Sequence, residues 1–260
     1  MLRLIASLLL LLSINSFAQT DHWETVIQEG DLYQYLIPNS TLPTDWNDTT
    51  FNDSFWSPGN TGIGYGDGDD NTMIGTAISV YFRQEFTIID TAAIEEAILN
   101  IDYDDAFVAY INGTEIARAN INGNPPLYSD GSITDHEATL YQGIAPDNFV
   151  LSKSTLAQVL NQGNNVLAIQ VHTTNTASSD MSAIPFFSVA INNTSTNYSP
   201  TPIWFTPPFE FESSNLPIIV INTNGQQIVD DPKILADFGI IYNGIGNLNY
   251  LTDPLNEYEG

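Results

Sequence analysis

Asp67, Asp69 and Asn71 alternate through the run GYGDGDDNT, residues 64–72, with Asp70 between them and three glycines around them. The spacing D-x-D-x-N is how a calcium loop begins: calcium takes about six to eight oxygens, which clustered carboxylates and loop carbonyls supply. An EF-hand would also need glycine at position 6 and glutamate at position 12. Those positions hold Thr72 and Ile78, so the run is not an EF-hand. Three readings stay open. The loop holds a structural calcium ion at the edge of a sandwich; it is a tight acidic turn whose Asp and Asn side chains cap their own backbone; or it touches a ligand directly, with Tyr65 as the exposed ring beside it.

Other residues could also do chemistry. Asp102, Asp104 and Asp105 form a second acidic group. Two carboxylates can serve acid–base work or hold an ion, but just ahead of a strand they are expected to cap a turn. His172 ends a strand-like run at a loop, where sandwiches carry function, and is the histidine best placed for ligand contact. His22 and His136 read as structural or exposed. Arg83 and Arg118 sit in a chain with five basic residues in all; each is expected to pair with a carboxylate, with contact to a ligand such as an acidic sugar as the alternative. Trp46, Trp56, Tyr65 and Tyr81 offer flat apolar faces of the kind that stack on pyranose rings, or that fill a core. Trp56, beside Phe55, reads as core. No G-x-S-x-G, H-E-x-x-H or P-loop pattern is present.

The bulk of the chain limits what these residues serve. Against 5 Lys plus Arg stand 31 Asp plus Glu, a formal charge of −26. Such a chain repels phosphate backbones and anionic lipid, so nucleic acid is not expected as a partner and membrane surfaces are poor ones. There is no cysteine, hence no disulfide, zinc–thiolate site or thiol nucleophile. Residues 1–19 have the form of a secretory signal: Arg3, an apolar core over Ile5–Leu12, then Ser16-Phe17-Ala18. That core falls short of the ~20 residues a spanning helix needs. An exported protein without a membrane span, released or held at the cell surface, is expected.

Residues 20–197 read as β structure. Short alternating runs recur between Asn, Asp, Gly, Ser and Pro. Strands are expected over 79–88, 166–171 and 184–191. In AFVAYINGTEIARA, Asn112-Gly113 is the pair preferred in a two-residue hairpin turn, because both positions need positive φ. Short helical turns are expected over 92–99 and 153–160. Regular strands with little helix mean a sandwich or barrel. Residues 198–214, with Ser199-Pro200-Thr201-Pro202, Pro207-Pro208 and several aromatics, form a linker or strap. Residues 215–260 open a second unit with the buried-strand run LPIIVI. Some forty residues rarely make a stable core, so this α+β segment is expected to be the start of a longer domain.

Several of these runs together resemble a known kind of module. They are Trp46-Asn47, FNDSFW (51–56), GIGYGDGDD, VYFR (80–83), DYDDAFVAYINGTEIAR and GNNVLAIQVH (163–172). In that order they resemble a galactose-binding-like jelly-roll domain of large secreted bacterial proteins, over about residues 40–192. The run LPIIVINTNGQQIVDDPKILADFGIIYNG, with NEYEG at the end, resembles the opening of a CotH kinase-like domain. The first resemblance implies a jelly-roll β-sandwich that often carries a structural calcium. The second implies an atypical protein kinase using ATP and a divalent metal, whose catalytic motifs lie beyond the matched segment. No catalytic residue is therefore carried over, and the chain itself is expected to be non-catalytic. It reads as an accessory module, with ligand contacts at Tyr65, His172 and Arg83 and an ion at Asp67, Asp69 and Asn71. Its partner is an extracellular glycan or the protein's own downstream domain. A ligand-free spacer and the amino-terminal part of an active kinase are the rival readings.

Overall fold

A computed structural model of the chain describes residues 20–66, 68, 70–208, 211, 213–223 and 233–259. Residues 1–19, where a secretory signal is expected, lie outside the described residues, as do Asp67 and Asp69. The chain divides into two units, one ending at Phe205 and one beginning at Thr206.

The first unit is almost entirely β. Its chain runs through β1 (His22–Ile27), β2 (Leu32–Leu36), β3 (Ser57–Asn60), β4 (Ile63–Gly64), β5 (Thr72–Met73) and β6 (Ser79–Ile88). It continues through β7 (Ile94–Asp104), β8 (Ala106–Ile111), β9 (Thr114–Ala119), β10 (Asp147–Ser152), the helix α1 (Lys153–Val159), β11 (Gly163–His172), β12 (Ser182–Ile191) and β13 (Ser199–Pro200). Two antiparallel sheets result. One has five strands in the order β10-β7-β12-β1-β13, the other six in the order β3-β2-β6-β11-β8-β9. Neighbours in these sheets are mostly distant in sequence, as a jelly-roll sandwich requires.

The core lies between the sheets. Phe82, Phe107, Leu167 and Ile169 from one and Ile27, Leu99, Ile101 and Phe187 from the other are fully buried. Phe86 meets Phe187 with ring centres 5.7 Å apart, and Phe107 meets Tyr103 at 4.8 Å. Each such side chain contributes about 1.5–3 kcal/mol by leaving water, which is how a chain without disulfides holds this sandwich.

The strands expected over 79–88, 166–171 and 184–191 are β6, most of β11 and most of β12. The Asn112-Gly113 turn joins β8 to β9 with φ of 51° and 84°. The turn at 153–160 is α1, capped by Ser152, whose hydroxyl accepts from the Thr155 backbone N–H. The helical turn expected over 92–99 is corrected. A 3-10 turn covers only Thr91–Ala93, and Ile94 starts the eleven-residue β7. The pair Glu95-Glu96 favours helix locally, but β7 pairs on both sides, with β12 and β10, and two ladders outweigh a helix propensity of a few tenths of a kcal/mol per residue.

The proline-rich stretch begins inside this first unit. Ser199 and Pro200 pair with Thr25 and Glu24 of β1. Trp204 then packs on Phe186 with ring centres 4.9 Å apart, and Phe205 on Trp23 at 5.3 Å.

The second unit carries a three-stranded antiparallel sheet in the order β14-β15-β16, from β14 (Ile218–Asn222), β15 (Asp237–Ile241) and β16 (Tyr258–Glu259). The buried Asn249 ties it together, donating to the carbonyls of Ser214 and Leu216 and accepting from the Asn243 N–H. Among the described residues no helix is long and apolar enough to cross a membrane.

Candidate functional site

The six-stranded sheet buries its outer face as well. Tyr81 of β6, Gln170 of β11 and Val108 of β8 stand side by side in register, joined on the same face by Ala168 and Tyr110. Period-2 alternation places them all outward, away from the main core. Loop 41–56 and loop 120–135 cover this face. Trp46, Trp56, Tyr81, Val108, Tyr110, Ile121, Val166 and Ala168 form a second apolar cluster beneath them.

Between the two loops the cover is incomplete and leaves a cleft of about 520 Å³, within the range of small-ligand sites. Tyr81, Gln170 and Tyr110 make its floor. Leu42, Trp46 and Asn47 line one wall, Pro125 to Tyr128 the other, and Gly113 to Glu115 close one end. The Trp46 ring is fixed by three neighbours: Trp56 stacked at 6.3 Å, Tyr81 edge-on at 4.7 Å and Tyr110 edge-on at 5.7 Å. Gln170 Nε2 donates to the Tyr110 hydroxyl oxygen over 2.9 Å. Burial pushes the Tyr81 and Tyr110 hydroxyls up in pKa, with nearby acidic groups adding to it, so both remain neutral and able to donate.

A register shift aims one end of the cleft. β9 carries an extra residue between its pairings Ala117↔Ala109 and Glu115↔Tyr110. Without that bulge Glu115 and Arg118 would face opposite sides; with it they share a face. Arg118 grips Glu115 with Nε on Oε1 at 2.5 Å and Nη2 on Oε2 at 2.6 Å, and its Nη1 donates to the Gly123 carbonyl.

The residues singled out in the sequence take other places in the fold. Tyr65 is not the exposed ring expected beside the acidic loop: 7% exposed, it belongs to the main core, and its backbone bridges to Met181. Gly64 and Gly66 allow that approach. A Cβ on Gly64 would stand 1.8 Å from the Met181 carbonyl oxygen, and Gly66 has φ of 123° against Asp180. His172 is fully buried, and its Nδ1 donates to the Asp130 carbonyl at 2.8 Å. Burial drives its pKa down to about 4, so the ring is neutral at neutral pH. It braces loop 120–135 under the cleft instead of facing solvent. Arg83, 2% exposed, is spent on Asp53 and on the Asp48 carbonyl, with Phe51 under its guanidinium at 5.2 Å. That clamp holds loop 41–56 to the sheet. These three residues do not converge on one site.

Asn71 donates to the Thr61 carbonyl. Asp102 and Asp105 cap distant backbone, not their own turn. Asp102 accepts from the Thr139 and Leu140 N–H groups, and Asp105 from those of His136 and Thr174. Asp104 instead meets Glu137 and Asp180, and one carboxylate oxygen from each lies within 4.8 Å of the others. This group could bind a metal ion. Its donors are all hard oxygens with no histidine or cysteine, a set that suits calcium or magnesium and not zinc. Glu137 and Asp180 were missed in the sequence because they are far from Asp104 along the chain, and no local spacing signals their meeting. The cleft was half visible: Trp46 and Tyr81 stood out as aromatics, whereas Tyr110, Tyr128, Gln170 and Glu115 did not.

No protein-family model and no curated protein matches the chain. Among solved structures, a Bacteroides uniformis β-glucuronidase is similar with a TM-score of 0.42 and 12% identity, over 84% of this chain and 22% of that one. A β-glucuronidase from an uncultured Clostridium gives 0.41 and 12%, over 87% of this chain and 35% of that one. A calcium-binding mutant of Bacteroides uniformis β-glucuronidase 2 gives 0.41 and 14%, over 84% and 22%. The chain spans about a fifth to a third of the length of these proteins. Such identities and scores are too low to transfer an activity or a ligand.

Proposed function

We propose that the chain is the non-catalytic accessory region of an exported protein, and that its galactose-binding-like sandwich binds an extracellular glycan in the cleft over Tyr81, Gln170 and Tyr110. One observation carries this reading. A concave site of sugar-sized volume combines aromatic faces at Trp46, Tyr81, Tyr110 and Tyr128 with the amides of Asn47 and Gln170. Aromatic faces cover the apolar faces of a pyranose ring, and fixed amides and hydroxyls bond its rim. Export is supported by the signal-like run at residues 1–19. The reading of residues 215–260 as the opening of a CotH kinase-like domain is supported by the run LPIIVINTNGQQIVDDPKILADFGIIYNG. In that reading the parent protein is an atypical kinase whose catalytic residues lie outside this chain.

Tyr128 separates a binding module from a spacer. It is half-buried on the cleft wall, while its backbone carbonyl accepts from the Ser79 hydroxyl, so truncating the ring leaves that bond in place. Titrating a panel of oligosaccharides into the whole chain and monitoring tryptophan fluorescence should show saturable binding. Tyr128→Ala should weaken it at least about fivefold with little change in melting temperature. A chain that binds nothing in the panel is a spacer.

Asp104, Glu137 and Asp180 support a structural calcium site. An ion that binds only the folded state must stabilise it. Calcium added to chelator-treated protein should raise the melting temperature of the sandwich by several degrees, at about 2–4 °C per kcal/mol for a unit of this size. Asp180→Asn should abolish the rise. A melting temperature that ignores both calcium and chelator excludes the ion.

A further inference from the structure

The charges around the cleft say which sugars it can take. Among the described residues that line it, Glu115 is the one acidic side chain, and there is no lysine, arginine or histidine. The cations of the first unit are spent elsewhere among its described residues. Arg83 is buried against Asp53, and Lys153 holds both oxygens of Glu95 at 2.8 and 2.7 Å. Arg118, the cation closest in sequence to the cleft end, is closed in bidentate fashion on Glu115 and donates its third contact to a backbone carbonyl.

We infer that the cleft is selective for uncharged sugar residues, and that the Glu115–Arg118 pair at its end turns acidic sugars away. The inference rests on the glycan-binding reading of the same cleft. A uronate or sulfate entering would lose water without gaining a cation, and it would face the Glu115 carboxylate in a chain of formal charge −26. An uncharged pyranose meets neither cost. It stacks on the aromatic rings and can donate hydroxyl protons to Glu115, whose oxygens are still able to accept after the two bonds from Arg118. Arg118 thus has two effects. It fixes the Glu115 carboxylate as an acceptor, and it is itself withheld from any carboxylate on a ligand.

The test uses the whole chain, calorimetric titration and two sets of probes. The neutral set is hexaoses of β-1,3-glucan, mannan, xylan and galactan; the acidic set is hexaoses of alginate and polygalacturonate. In 0.15 M salt at least one neutral hexaose should bind, and each acidic one at least about tenfold more weakly or not at all. Glu115→Gln should then free the guanidinium of Arg118 and raise affinity for the acidic hexaoses about tenfold, while affinity for the neutral one falls. An acidic hexaose bound as tightly as any neutral one by the unaltered chain overturns the selectivity but leaves glycan binding standing. Discrimination unchanged in Glu115→Gln overturns the role given to the pair. Failure of every hexaose, neutral and acidic, removes the glycan reading and the selectivity with it.

Discussion

Trp46→Ala will lower the stability of the sandwich by about 3–5 kcal/mol and eliminate glycan binding. Trp46 is 6% exposed and its ring contacts Trp56, Tyr81 and Tyr110 together. Removing it opens a void under loop 41–56 that backbone cannot fill, and it strips the cleft of its largest apolar face. Domain stabilities run to about 5–15 kcal/mol, so the variant will be marginal at 37 °C. Trp46→Phe separates the two effects. It refills most of the void and should recover more than half of the lost stability in a urea titration, yet bind the neutral hexaose markedly more weakly because the smaller ring covers less of a pyranose. A Trp46→Phe protein with unaltered affinity would take the tryptophan out of the site.

Arg83→Ala comes second, at about 3 kcal/mol. Arg83 reaches from β6 to Asp53 and the Asp48 carbonyl and rests over Phe51, so one side chain pins loop 41–56 in three places. Burial lowers its pKa, and the neighbouring Asp53 opposes that shift. Breaking a buried pair by removing one partner costs about 3–5 kcal/mol, because the charge left behind has no counter-ion. The Asp53 side chain keeps 25% exposure, which puts the cost at the low end. Binding should fall too, since the loop supplies Trp46 and Asn47 to the wall. Arg83→Met keeps the apolar stem but loses the charge, and should behave like the alanine variant in affinity while recovering part of the stability. Equal denaturation midpoints for Arg83→Met and the unaltered chain would show that the ion pair does not hold the loop.

The elements that sequence disclosed are those whose signal is local. β6 and β11 announce themselves by alternation, and the hairpin by Asn112-Gly113, because those features act within ten residues. β7 did not, since its Glu95-Glu96 pair favours helix and only the ladders to β10 and β12 decide otherwise. The same division runs through the site. The D-x-D-x-N spacing is visible because it is contiguous. The meeting of Asp104, at the end of β7, with Glu137 and Asp180 from two separate loops has no spacing to find. His172 drew notice as the end of a strand at a loop edge, and that position does not say that a covering loop buries it; the expected carboxylate pairing of Arg83 is there, but its partner Asp53 has no local spacing to mark it. The cleft needs both covering loops, and the aim of Glu115 depends on a one-residue bulge in β9.

In the proposed function this cleft, and not the acidic loop, meets the glycan. The most direct measurement is a map of amide and indole N–H shifts of the labelled whole chain on titration with a binding neutral hexaose. Binding in the cleft should make the Trp46 indole N–H and the amides of Asn47, Gly113, Thr114 and Tyr128 shift together and saturate at one concentration. Shifts confined to residues 64–72, or spread along the chain without saturation, would contradict it.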